Sequence, residues 1–331
     1  MKIPPEYNIS PEILKLISQI ESLRLFFQSF PIKSEFKAKI QRMSILKSSL
    51  YSARIEGNPL TFKEVNNPDK ISDRQKKLEV FNILDAVKYL ESNIKSGKIL
   101  DGNFILNLHS IVMKDLSVEA GNFRTEPGAI FNQAGVAIYI TPLPEKTDEL
   151  LNQLFEFINQ PNDYPVVLSV ISHLIFEKIH PFIDGNGRVG RLLIWAILLA
   201  KTYDFPIAIP IEEYIDQNRD RYYYHLDNGM TQCNEYIKFM LNAFVASGEK
   251  IKDLVIKESQ KDSEIILPPR QEEILAIIND HVDASFDFIK RRFFNVPART
   301  LRYDLKKLAE KGLIIKVGKT RGSFYRAKEK L

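Results

Sequence analysis

Through most of the chain, apolar residues recur every three or four positions, and short clusters of Gly, Pro, Asn and Asp interrupt them. This spacing predicts a succession of amphipathic helices. Ile13, Leu16, Ile17, Ile20, Leu23 and Phe27 set the first over residues 11–30, with Ser10 and Pro11 as N-cap and first-turn pair. A second runs over about 34–56, where Gly57 stops it and Asn58-Pro59 prevents a restart. Others are predicted over 74–96, 103–116, 147–158, 166–179, 192–200 and 236–247. Another opens at Tyr214 and passes through the tyrosine-rich 222–225. Residues 249–264 read as an exposed charged helix or linker. The period shortens to two around residue 130: stretches 129–131 and 136–140 are β-prone and flank Asn132 and Gly135, which predicts a hairpin.

Beyond Pro268 and Pro269 the pattern changes. Helices are predicted at 271–281, 285–293 and 298–311, then strands at 313–317 and 323–326 joined by a turn between Gly318 and Gly322. From Pro268 onward there are 15 Lys or Arg against 8 Asp or Glu, a balance of +7. The whole chain is +4, so the remainder is −3 (4 minus 7). The segment resembles a winged helix-turn-helix domain. That resemblance implies a third helix presenting Arg299, Arg302, Lys306 and Lys307 to a DNA major groove, and Lys319 and Arg321 on a wing against phosphates. Winged helices also serve as protein-docking or dimer modules, and the sequence leaves both readings open.

Composition narrows the class further. At 331 residues, one or two globular domains and a small extra one are expected. No apolar run approaches the roughly 18 to 20 residues needed to span a bilayer, and the first ten residues hold no apolar signal core, so no membrane role is expected. A single cysteine, Cys233, excludes an internal disulfide framework and a thiolate zinc site. The expected compartment is the cytoplasm.

The densest chemistry lies between the apolar runs 166–179 and 192–200 and reads HPFIDGNGRVGR, residues 180–191. It falls in a tight loop whose second half opens a helix. Gly185, Asn186 and Gly187 can turn several backbone N–H groups onto one anion. The helix start adds unpaired donors and the positive end of its dipole. Arg188 and Arg191, three apart, can each fork onto phosphate oxygens. Asp184 would repel a bare phosphate, and its presence makes sense if Mg2+ bridges the two. His180, at the mouth of the loop, is the candidate general base.

This loop closely resembles the signature of the Fic family, HPFx(D/E)GNGRxxR, and matches every defined position. The resemblance implies a mainly α fold: a Fic-type helical bundle with a small β-hairpin flap, here followed by the winged helix-turn-helix domain. It implies transfer of AMP from ATP to a Tyr, Thr or Ser hydroxyl of a target protein, self-modification included, with release of pyrophosphate. Asp184 would hold Mg2+, the glycines and Asn186 would cradle phosphates, and Arg188 and Arg191 would hold the β- and γ-groups. The hairpin would dock the target by strand pairing, with Ile130 and Phe131 near the nucleotide or the hydroxyl. Tyr222 and Tyr223 match a tyrosine pair that packs near the adenine. Phe182 would anchor the loop.

Earlier in the chain, Ser52 and Glu56 end the second helix in the pattern (S/T)xxxE(G/N). By the same resemblance this is an inhibitory helix, about 34–57, whose Glu56 pairs with Arg191 where the γ-phosphate would sit. The implied organisation is an N-terminal helical region (1–99), a catalytic domain (100–248), a linker or helix (249–267) and the winged helix (268–331). Three other readings stay open. They are transfer of a different phosphate-containing group as in the Doc branch, which departs from the GNGR segment intact here; removal of AMP by a water held on Glu56; and a DNA-binding regulator with a nucleotide-sensing Fic fold. Oligomeric state, a homodimer included, is not legible. His109, His173 and His225 read as structural.

Overall fold

The computed structural model describes the chain except residues 132–136, 204, 264–266, 282, 319–322 and 329–331. For 130–131, 137–138 and 260–263 the backbone alone is described. Contacts divide the chain into two units, Met1–Val255 and Ile256–Leu331. Among the described residues, no helix is long and apolar enough to cross a membrane.

The first unit is built of helices, in order α1 (Pro11–Ser29), α2 (Ser34–Ile55), α3 (Phe62–Val65), α4 (Arg74–Asn93), α5 (Gly102–Val112), α6 (Thr147–Asn159), α7 (Pro165–Ile179), α8 (Asn186–Ala200), α9 (Ile211–Gln217), α10 (Arg219–Asn228) and, as far as Val255, α11 (Cys233–Ser263). Their starts follow local chemistry. The side chains of Ser10, Asp73 and Asp101 each accept a backbone N–H in the first turn of α1, α4 and α5. The tyrosine-rich segment forms two helices, not one, because Asn218 breaks the backbone between α9 and α10.

At the centre lies α7, buried from Val166 to Ile179. That explains why its sequence is apolar on all sides rather than striped. Several of its polar residues are used internally, although Ser172 Oγ and Glu177 Oε1 have no hydrogen-bond partner among the described residues. Ser169 donates to the Val166 carbonyl, and His173 bonds the hydroxyls of Tyr236 and Tyr222 at 2.6 and 3.2 Å. Burial lowers the His173 pKa to about 3, so the ring is neutral. The adjacent helix, α8, approaches most closely at Gly190, where a Cβ would overlap the Glu177 carboxylate and lie 3.2 Å from Phe176 Cδ1. This glycine is what lets the two helices flanking the loop pack side by side.

Residues 249–264, read above as a solvated helix or linker, instead continue α11 through to Ser263. Ile251 and Val255 are buried with Leu23, Phe27, Ile40 and Ile207, and Gly248 lets α11 close on Leu23, 2.7 Å from where a Cβ would stand.

The hairpin forms as β1 (Ala129–Phe131) and β2 (Ala137–Ile140), antiparallel, with Ala129 opposite Ile140 and Ile130 opposite Tyr139. A bulge follows Ile130. At its base the Thr141 amide and hydroxyl both donate to the Gly128 carbonyl, at 3.1 and 2.8 Å.

The second unit holds α12 (Pro269–Asn279), β3 (Ala284–Ser285), α13 (Phe286–Arg292), α14 (Ala298–Glu310), β4 (Ile314–Val317) and β5 (Phe324–Ala327). The sheet order is β3-β5-β4, antiparallel throughout. The strand β3 was not predicted; at two residues it is too short to show alternation. Ile274, Ile278, Leu301, Leu305 and Ile314 form a separate core. Inside it Asp304 is buried but accepts from Arg270 and Gln271, at 2.6 and 2.9 Å.

Gly190→Ala is expected to cost about 1–3 kcal/mol through overpacking of α7 on α8. Equilibrium urea unfolding checks this, and an unchanged midpoint would contradict the close approach.

Candidate active site

The loop between α7 and α8 turns on two left-handed residues. His180 caps α7 at φ 51°, ψ 60°, and Gly185 caps α8 at φ 80°. The left-handed region costs a non-glycine residue roughly 1–2 kcal/mol. The strain at His180 is held by neighbours: its carbonyl accepts from Arg124 Nε at 2.8 Å, and its N–H donates to the Phe176 carbonyl. Gly185 could not carry a side chain, since a Cβ would lie 2.8 Å from Met113 Sδ.

Within the loop, the Asn186 side chain pairs with both backbone groups of Phe182, accepting from its N–H at 3.0 Å and donating to its carbonyl at 2.8 Å. Phe182 is fully buried and stacks on His109 at 3.6 Å between ring centroids. His109 Nδ1 accepts from the Gly121 N–H, so Nε2 carries the proton and donates to the Asp184 carbonyl at 3.0 Å. Burial lowers the His109 pKa, consistent with this neutral tautomer.

The His180 ring is fixed the same way. Its Nδ1 lies 3.3 Å from the Glu177 carbonyl, which can only accept, so Nδ1 is the donor and Nε2 keeps its lone pair. Burial lowers the His180 pKa, opposed by the bond to Glu177 and by the charges of Glu56 and Asp184. The result is a neutral imidazole with one free basic nitrogen.

No side chain caps the first turn of α8 among the described residues. Its leading N–H groups and the dipole therefore form an anion site. A carboxylate already lies there. Glu56 abuts Gly187, whose Cβ would overlap Glu56 Oε1, and it accepts from Arg191 NH2 at 2.8 Å. Ser52, one turn earlier on α2, also holds the guanidinium: its hydroxyl accepts from Nε at 2.9 Å and its carbonyl from NH2 at 2.8 Å. The end of α2 is held in turn by α10, with Arg219 donating to the Arg54 carbonyl and Tyr223 to that of Ile55.

Arg188 is buried and donates from NH2 to both Asp184 oxygens at 3.1 Å; its Nε has no partner among the described residues. Asp184 Oδ1 also accepts the Gly185 N–H at 2.6 Å, while its side chain is 68% exposed. No cluster of three His, Cys, Asp or Glu able to hold a metal alone occurs among the described residues. A single exposed carboxylate suits a hard ion such as Mg2+ that takes its remaining ligands from phosphates and water. The donor set fits in that sense only.

The structure thus gathers His180, Asp184, Gly185, Gly187, Arg188, Arg191, Ser52 and Glu56. Other expected residues are engaged differently. The Asn186 side-chain amide is spent inside the loop, while its backbone N–H stays in the first turn of α8. Tyr222 is 1% exposed and bonds His173, so of the tyrosine pair only Tyr223 reaches the surface. The side chains of Ile130 and Phe131 lie outside what is described, as do Lys319 and Arg321. Arg299, Arg302 and Lys306 are exposed on α14, with Arg302 over the Phe286 ring and Lys306 near Glu310. His109 is structural, as expected, though its partner was not foreseen, and Arg124 escaped the sequence reading. His109 holds Asp184, and Arg124, 5% exposed, ties His180 to the hairpin through the carbonyls of Glu126 and Pro142. Their partners are distant in the chain, so spacing carried no signal.

Residues 99–198 match the Fic/DOC family model. The protein adenylyltransferase Fic of Drosophila erecta is 31% identical over 186 residues, which cover 53% of this chain and 35% of that protein. The match thus spans about a third of the length of that curated relative. A crystal structure of a Fic family protein from Desulfovibrio desulfuricans G20 aligns over 98% of both chains with a TM-score of 0.69 at 22% identity. Fic-1 of C. elegans (residues 134–508) aligns over 74% of this chain and 73% of its own, with a TM-score of 0.61 at 22% identity. These structures share the helical fold.

The His180 ring should titrate below 6.5. Its neutral form is then kept above that midpoint and lost as pH falls through it. The unfolded chain takes up its proton first, so this residue's contribution to stability also declines as pH drops below 6.5. NMR titration of the imidazole measures the midpoint, and a value above 6.5 would remove the neutral base.

Proposed function

We propose that the Fic domain this chain carries, residues 99–198, transfers AMP from ATP to a Tyr, Thr or Ser hydroxyl of a protein, and that Glu56 restrains it. The observation that carries this reading is one loop that leaves His180 Nε2 without a hydrogen-bond partner among the described residues and leads into an α8 start that no side chain caps. The name of the Drosophila relatives, protein adenylyltransferase, agrees with it.

In this mechanism the hydroxyl oxygen attacks the α-phosphorus, the bond to the β-phosphate oxygen breaks, and pyrophosphate leaves. His180 Nε2 takes the hydroxyl proton. The N–H groups of α8 and the guanidinium groups of Arg188 and Arg191 hold the phosphate chain, so positioning and charge supply most of the rate. Mg2+ held by Asp184 would offset phosphate charge. Gly187 keeps the backbone open to the chain of phosphates, and Gly185 turns the backbone into α8. The two-stranded hairpin has an open edge for a target segment to pair with, which holds a main chain without demanding much of its sequence. The compartment this reading implies is the cytoplasm.

Restraint by Glu56 rests on its contacts. Its carboxylate takes up one Arg191 donor and the space over Gly187, so a triphosphate must displace it to lie against α8. A charge-assisted contact of this kind is worth about 1.5–3 kcal/mol.

For the second unit we propose the fold of a winged helix and contact with DNA phosphates through α14, because Arg299, Arg302 and Lys306 share its exposed side. Its helix order and small antiparallel sheet agree with that reading.

Incubation with ATP labelled at the α- or γ-phosphate tests the transfer: label should remain on protein only from the α position, and retention from γ alone would reject AMP transfer. Glu56→Gly should raise self-labelling at least about tenfold; a variant no more active than wild type would refute the restraint. His180→Ala should lower labelling about 10²–10⁴-fold with ATP binding kept, and undiminished labelling would refute the base. For the second unit, replacing Arg299 and Arg302 by Ala should reduce the salt slope of duplex DNA binding by about two. No binding by wild type would reject that reading.

A further inference from the structure

Further along α8, past Arg191, a separate cavity of about 320 Å³ opens among α2, α8, α9 and α11. Ile194, Leu198, Phe205, Ile209 and Phe244 give it apolar walls. Two carboxylates, Glu91 and Glu212, face the same space. Glu212 is 7% exposed, and its Oε2 has no hydrogen-bond partner among the described residues. Its contacts elsewhere are with Ser48 and its own backbone. Arg191, the guanidinium on the wall, is already engaged by Ser52 and Glu56. Gln41 is also committed, bridging Glu91 and the Ala208 N–H.

A buried carboxylate oxygen without a donor is costly, and an ionised one needs a counter-charge. Among the described residues the walls supply no donor to Oε2, and the one cation whose charge reaches Glu212, Arg191, is held on Ser52 and Glu56. Apolar sides with a few convergent polar and charged groups are the make-up of a small-molecule site, and this volume lies at the lower end of such pockets, about 300 Å³ upward. We propose that the cavity binds a small amphipathic amine, its ring or hydrocarbon body against α8 and its ammonium on Glu212 Oε2. Burial lifts the Glu212 pKa to about 7, so an arriving ammonium draws it into the ionised form.

The chain's single tryptophan, Trp195, lines the cavity and reports on occupancy. The full chain is titrated with 2-phenylethylamine and with 2-phenylethanol, which keeps the body and drops the charge. The expected result is a saturable change in Trp195 emission, with the amine binding about tenfold tighter than the alcohol. In Glu212→Gln the amine should lose that advantage while the alcohol binds as before. Equal affinity of the two compounds for wild type, or no saturable response to the amine, overturns the proposal. If the variant fails to fold by circular dichroism, the comparison on wild type decides alone.

Discussion

The site depends on how the chain closes between α7 and α8. Phe182 is driven into the core by its own burial and stacked flat on His109. The Asn186 amide then satisfies both backbone groups of that phenylalanine, as a neighbouring strand would. Burying those groups unpaired would cost about 1–3 kcal/mol each. With the anchor seated, the two left-handed caps follow: His180 ends one helix and Gly185 begins the next. Both functional ends, the basic nitrogen and the row of open N–H groups, are set by this one closure. Arg124 extends it to the hairpin, because the same guanidinium that holds the strained His180 carbonyl also holds Pro142 beyond β2.

Much of this was legible from residue order because the chemistry is local. His180, Asp184, the two glycines and the two arginines lie within one loop and one helical turn, so their types and spacing state what they can grip. The Ser52–Glu56 spacing was equally readable as one helix face; only its partner needed the family resemblance. Contacts across the fold were not readable. Nothing in its spacing marked Arg124 as a partner of the His180 carbonyl, and His109 read as structural without any sign that Gly121 and Asp184 are its partners. The tyrosine pair shows the limit of periodicity: adjacent helical residues point about 100° apart, so one ring had to turn inward, and nothing local said it was Tyr222. The continuation of α11 was hidden by its charged surface, and Gly248, between the two stretches read separately, is the gap that admits Leu23.

Helix α2 connects the two polar regions of the first unit. Ser48, Ser52 and Glu56 stand four apart, so they line one stripe. The first meets Glu212, the second and third meet Arg191. A buried carboxylate and a buried guanidinium from different helices are thus held by consecutive turns of a single element. The end of that element is tied down by Arg219 and Tyr223. Burial works against the charge on Arg191, and the Glu56 carboxylate beside it keeps the guanidinium fully protonated.

Because Ser52 grips Arg191 through both its hydroxyl and its carbonyl, the guanidinium stays clasped to α2 whatever Glu56 does. Swinging the glutamate aside therefore asks for a rotamer change at one partly exposed side chain, not for a sliding helix or a parted interface. Motions of that size belong to the picosecond-to-nanosecond range. On the function proposed above, the restraint is a single movable side chain on a fixed mount, and an anion that competes for Arg191 would have to displace that side chain alone.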